Sequence, residues 1–158
     1  MDVRDELLRL LSRGAVDQFN EISRRSRQII DLSEADLTRA RISGADLSGA
    51  NLDGTKLPGA DLSGANLTGA SLRYANLKNA NLEGANLSKA NLFNAYLAEA
   101  DMAGALIQGA DVAAAVFPDD ISPAEIGLAT RTGTRLRRDP SVALLQQIKE
   151  ALQGQRPR

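Results

Sequence analysis

The chain has 158 residues, 19 Lys and Arg against 20 Asp and Glu for a net charge of −1, and neither His nor Cys. Disulfides, thiolate chemistry, and imidazole metal binding or acid–base catalysis are therefore excluded. The length suits one domain, no eighteen apolar residues run together, and charges interrupt the apolar N-terminus, so a soluble cytoplasmic protein with no membrane segment is expected.

Residues 2–13 read as a helix, with Asp2 as its cap, Val3, Leu7, Leu10 and Leu11 in one stripe, and Gly14 as its stop. A second helix is expected from Ala15 to about Arg27. It carries Val16, Phe19 and Ile22 on one face, and Arg24, Arg25 and Arg27 near its end, where the helix dipole favours cations. Ile30–Glu34, IDLSE, then begins a pattern imperfectly.

From Ala35 to Ala114 the chain repeats every five residues. A large aliphatic side chain stands at each fifth position, including Leu47, Leu52, Leu62, Leu67, Leu72, Leu77, Leu82, Leu87 and Leu92, and Ala stands two places before each, except for Thr55. On an α-helix a five-residue step turns each side chain about 140° past the last, which would spread the leucines over every face. In one long strand successive leucines would point to opposite faces. Both spacings are satisfied by a short extended Ala-x-Leu piece followed by a corner, and Gly, Ser, Thr, Asn and Asp at the other positions suit corners. Such a chain winds into an all-β solenoid. Gly44, Gly64, Gly84 and Gly104 form one column, and Gly49, Gly69 and Gly109 another with Lys89 among them, both spaced by twenty residues, so four sides make a coil. Sixteen repeats then give four coils, a body near 20 Å long at about 4.8 Å per strand spacing.

Beyond the repeats, Phe117 sits where a Leu would and is expected to close the last coil. Ser122, Pro123 and Glu125 have the spacing of a capping box with Pro at the first turn, which predicts a short helix to about Thr130. TRTGTRLRRDP reads as a polar linker. Asp139 and Pro140 start a final helix, Ser141 to about Gln153, with Val142, Leu145, Ile148 and Leu152 along one side. That side either covers its own tube, the simpler expectation, or pairs with its copy, leaving a monomer or a homodimer through this helix. The closing GQRPR is expected to fray.

The units ADLSG, ANLTG and ANLEG resemble the A(D/N)LxG unit of the pentapeptide repeat family, a resemblance covering about half the chain. It implies a right-handed quadrilateral parallel β-helix, with Leu and Ala inside. RGAVDQFNEISRR is similar to the leader, a Gly followed by (Trp/Phe)-Asn, that precedes the repeats in many bacterial members. With α-helical caps at both ends, the organisation is 1–29 helical cap, with Phe19 over the first coil, 30–117 β-helix, and 118–158 short helix, linker and terminal helix.

Chemistry-bearing clusters are few. Asp36, Asp46, Asp61, Asp101 and Asp111 could suggest a metal ladder, yet Asn takes the same position as often, and backbone bonding at a corner accounts for both. The Ser and Thr residues lack a histidine base and a nucleophile elbow, so no catalytic residue and no cofactor is assigned. Arg131, Arg135, Arg137 and Arg138 form the densest basic run, which reads as a solvated loop. Folding the twenty-residue period onto the surface places Arg73 beneath Phe93, Tyr74 beneath Asn94, and Tyr96 around the next corner. Aromatics beside Arg are the usual composition of a binding hot spot, so Arg73, Tyr74, Phe93 and Tyr96 are the candidate partner patch.

The expected function is a non-enzymatic module that presents this patch to a protein partner. The alternative, implied by one branch of the family, is an acidic rod that mimics duplex DNA and engages DNA gyrase. Residues 31–117 carry ten acidic and six basic side chains, a net charge of only −4, and Arg39, Arg41, Lys56, Arg73, Lys78 and Lys89 interrupt the acidity. DNA mimicry is disfavoured on that ground, and binding of nucleic acid because the run Arg131, Arg135, Arg137 and Arg138 lacks the broader basic face and nearby stacking aromatics it would need.

Overall fold

A backbone that turns every five residues must satisfy its polar groups without long strands. The computed structural model describes residues 2–26 and 28–153 and shows how this is done. In the unit Asp61–Ala65, Asp61 N–H donates to Ala40 of the coil below (2.9 Å), and Leu62 and Gly64 donate to Asn81 and Glu83 of the coil above (2.7 and 2.8 Å). Ala65 N–H closes the turn onto Leu62 (3.0 Å), and Ser63 N–H donates to the Asp61 side chain (3.0 Å). All five donors are used. The last bond explains why Asp and Asn interchange, because either Oδ1 accepts it, as Asn66, Asn81, Asn91 and Asp101 also do. At Lys56 the following donor is missing anyway, since residue 58 is Pro.

Parallel bridges join residues twenty apart from Asp31↔Asn51 to Tyr96↔Val116. The bridging positions run from Asp31 to Val116 in steps of five, which is eighteen units, two more than the sixteen expected. IDLSE is thus a complete unit, with Leu32 fully buried and Glu34 at the corner with φ 58°. Inside, Leu47, Leu52, Leu62, Leu67, Leu72, Leu77, Leu82, Leu87 and Leu92 are all at 0% exposure, and the Ala columns stack between them. Each such Leu contributes roughly 1.5–3 kcal/mol before chain entropy is subtracted.

Thr55, which replaces an Ala, is fully buried and donates its hydroxyl to the Leu32 carbonyl at 2.9 Å. That carbonyl also accepts Ala35 N–H, so Thr55→Ala leaves no orphaned group. The expected change in urea stability is within about 1 kcal/mol.

The corner residue is left-handed at every turn from Glu34 to Ala114, which is costless for Gly and unfavourable by about 1 kcal/mol or more for other residues. Eight corners lack Gly: Glu34, Arg39, Tyr74, Asn79, Lys89, Asn94, Glu99 and Ala114. All but Lys89 fall in two neighbouring corner columns. Side chains, and the strain that comes with them, are therefore concentrated along the two corners that bound one face of the tube.

Helices α1 (Val3–Ser12) and α2 (Val16–Arg25) pack on each other ahead of the first coil. Asp2 caps α1, which buries Leu7, Leu10 and Leu11; Val3, expected in that stripe, is 52% exposed. Phe19 is at 0% exposure within the core. The first coil's backbone is met by side chains: Arg4 donates to the carbonyls of Asp31 and Ser33, and Ser23 to that of Asp46. Asn20 donates to Gly44 and accepts Asp46 N–H at 2.7 Å. The second helix stops at Arg25, and Arg27 lies outside the described residues.

The C-terminal segment departs from expectation in four ways. Helix α3 (Pro123–Thr132), capped by Ser122, runs two residues further than expected and ends on left-handed Gly133. The stretch read as a polar linker lies against the last coil: Gly104 N–H donates to Leu136, Leu136 N–H to Ala105, and Leu136 is buried. Phe117 is only partly buried, and Ile121, Ala129 and Leu136 share in closing the end. Helix α4 (Pro140–Gln153) does not bury its apolar side on the tube, since Leu144, Leu145 and Ile148 are 58%, 57% and 46% exposed. The side chain of Leu152 and residues 154–158, the stretch expected to fray, lie outside what is described.

Candidate functional site

The twenty-residue register decides which outward side chains meet. Position 73 follows buried Leu72 and faces out, and Phe93 occupies the same place one coil later. Tyr74, at the corner with φ 59°, projects beside them and is 57% exposed. Its ring meets that of Phe93 edge to face, with centroids 5.8 Å apart and planes at 85°. The Arg73 guanidinium lies 5.7 Å from the Tyr74 centroid and 5.9 Å from that of Phe93. Edge-to-face pairing and a cation over aromatic faces each contribute about 0.5–1.5 kcal/mol. The three side chains form a pre-assembled amphipathic knob.

Two further residues complete the neighbourhood. Tyr96, 41% exposed, stands around the corner on the adjoining face, where it pairs through its backbone with Asn76. It lines a cleft of about 510 Å³ with Glu99, Phe117, Asp120 and Arg138. Asp53, not singled out from sequence, lies one coil below Arg73 and accepts both the Arg73 N–H (3.1 Å) and the Ser71 hydroxyl (2.5 Å). Its signal was present: Ser71 occupies the Asp/Asn position, so the donor two residues on needs another acceptor. Asp53→Ala should cost about 1–2 kcal/mol in denaturant stability.

The basic run does not behave as a solvated loop throughout. Arg135 donates to the Gly104 carbonyl at 2.6 Å, and Arg138 bridges Asp101 (2.8 Å) and Asp120 (3.2 Å). The side chains of the Asp column are committed to backbone donors at the turns.

Two carboxylates at the first coil carry a pH signature. The Ser33 backbone N–H, followed by its hydroxyl, holds Asp31 below its ordinary range, and the Thr38 hydroxyl, then its N–H, does the same for Asp36. A carboxylate depressed in the folded state stabilises it above the unfolded pKa and loses that contribution as pH falls through the folded value. Stability should therefore decline below about pH 4. In Asp31→Asn/Asp36→Asn, urea titrations at pH 7 and pH 3 should differ less than in the parent chain.

A family model for pentapeptide repeats matches residues 30–54, 45–84 and 81–117, with eight copies of the unit. The solved structure of a pentapeptide repeat protein from the thylakoid lumen of Arabidopsis thaliana is 31% identical with a TM-score of 0.58, over 73% of this chain and 84% of that one. A pentapeptide repeat protein from Nostoc PCC 7120 is 28% identical with a TM-score of 0.60, over 72% and 91%. QnrB1, a plasmid-mediated fluoroquinolone resistance protein, reaches only 24% identity and a TM-score of 0.27 over 54% of this chain and 59% of that one, too low to bear on function. No curated protein sequence matches. The repeat match, the twenty-residue ladder and the two structural likenesses agree: the chain belongs to the pentapeptide repeat family.

Proposed function

We propose that the chain is a non-enzymatic binding module: a right-handed quadrilateral parallel β-helix, closed by helical segments at both ends, whose Arg73, Tyr74, Phe93 and Tyr96 engage a protein partner. The observation that carries this reading is the packed Arg73–Tyr74–Phe93 knob, in which half-buried Phe93 supports exposed Arg73 and Tyr74, the latter at a strained corner. Rigid aromatics beside Arg lose little side-chain freedom on binding, and such clusters supply most of the energy of protein interfaces. Strain kept at Tyr74 where Gly would relieve it favours a role outside folding. The exposed apolar side of α4 also keeps self-association through that helix in the reading, which sedimentation at rising concentration would reveal.

The test is affinity capture from extract of the source cells. Phe93→Ser/Tyr96→Ser should lose the partner while the far-UV spectrum stays unchanged, and undiminished capture would reject the patch. Inhibition or drug protection of gyrase supercoiling by low concentrations of the chain would instead favour the DNA-mimic alternative.

A further inference from the structure

The hydrogen-bond ladder ends unevenly. In coil after coil the aliphatic and corner residues donate upward, as Leu92 does to Asp111 (2.7 Å) and Asn94 to Ala113 (3.1 Å). The coil above donates back to the Ala carbonyls, as Asp111 does to Ala90 and Val116 to Ala95, both at 2.9 Å. On one side of the tube's end, Leu136 and Thr130 take the place of a further coil by pairing with Gly104, Ala105 and Gly109. On the other side, among the described residues, the N–H groups of Val112 and Ala114 and the carbonyls of Ala110 and Ala115 have no partner. This edge, Val112–Val116, carries no charge or Pro that would discourage strand pairing.

The 510 Å³ cleft adjoins the edge at Val116. Tyr96, Val116, Phe117 and Pro118 give it apolar walls, and Glu99 and Asp119 give it carboxylates. Arg138 already engages Asp120, and Lys78 reaches Glu99 at 3.5 Å, but Asp119 has no ion pair among the described residues. A long cationic side chain fits such a site, with its stem on the apolar wall and its head at the carboxylate.

We propose that a partner docks here by laying a segment of its own chain over Val112–Val116 as one further parallel rung, extended on either side and bent where the rung below turns at Ala113–Ala114, with a Lys or Arg side chain entering the cleft beside Tyr96. The exposed donors and acceptors call for main chain in the register of the rungs below, the mode known as strand addition. The acidic rim, Asp111 and Asp119, selects a cationic segment and repels a second copy of the same edge. This inference rests on the partner-binding reading, with which it shares Tyr96, and supplies the chemistry of the ligand.

The test uses the full chain and a randomised heptapeptide library displayed on phage. Enriched peptides should combine an apolar residue with Lys or Arg. Binding should slow amide exchange at Val112 and Ala114, and Val116→Lys, a change at an exposed side chain, should weaken it by about tenfold or more. The proposal is overturned if no sequence is enriched, if enriched peptides lack a cation, or if Val116→Lys leaves their affinity unchanged. Self-association that protects Val112 and Ala114 without peptide would likewise overturn it, by assigning the edge to a second copy. If Val116→Lys spares capture of the native partner while Phe93→Ser/Tyr96→Ser abolishes it, this inference fails alone and the aromatic patch stands; if neither matters, both fail.

Discussion

Leu72→Ala should lower the unfolding free energy by about 2–5 kcal/mol. Leu72 is fully buried and stacks between Leu52 and Leu92 in the same column of successive coils. The cavity cannot readily collapse, because the backbone around it is pinned by Leu72 N–H to Asn91 and by Asn91 N–H to Ala70 (2.7 and 2.9 Å). A loss of that size is comparable with the whole stability of many domains. Urea titration should show a large fall in midpoint for Leu72→Ala, whereas Ser88→Ala, on the outward-facing side, should stay within about 0.5 kcal/mol of the parent. Equal effects of the two substitutions would mean that the Leu column is not the core.

Phe19→Ala is expected to cost about 3–5 kcal/mol and to promote association. Phe19 is wholly buried with Leu11 in the core cluster, so its ring anchors α2 over the first coil. Without that anchor, the bonds of Asn20 to Gly44 and Asp46 and of Ser23 to Asp46 would have to hold the helix unaided. Their loss bares the first coil's strand edges, which then recruit other chains. Thermal melts with light scattering should show both a lower midpoint and earlier aggregation. A variant that melts like the parent and scatters no more light would show that the leader is not needed to close the tube.

The tube was legible because its constraints are local and repeated. Ala two residues before each Leu, with Gly at many corners, leaves one arrangement that buries both apolar columns, and Leu62 and Leu82 lie in it as expected. The meeting of Arg73, Tyr74 and Phe93 followed from the same register. What could not be read came from contacts between distant segments. Leu136 pairs with Gly104 and Ala105 more than thirty residues earlier, and nothing in TRTGTRLRRDP marks it as a closing segment beyond one aliphatic among arginines. Periodicity likewise showed that α4 has an apolar side, but not that this side would remain uncovered. Asp53 was missed for a different reason. Its bond to Arg73 N–H is a substitute for one that Ser71 does not provide, which becomes visible only when the donors of each unit are counted.

The coil register is most directly tested by cross-linking, since the chain contains no Cys. The Ser43 and Ser63 side chains lie on adjacent coils with hydroxyls 2.9 Å apart, a separation compatible with a disulfide once both are Cys. Ser43→Cys/Ser63→Cys should oxidise rapidly to an intramolecular disulfide, while Ser43→Cys/Thr68→Cys, displaced by one further face, should remain reduced. Cross-linking of the second pair in preference to the first would contradict the twenty-residue coil, and with it the placement of Arg73, Tyr74 and Phe93 on one surface.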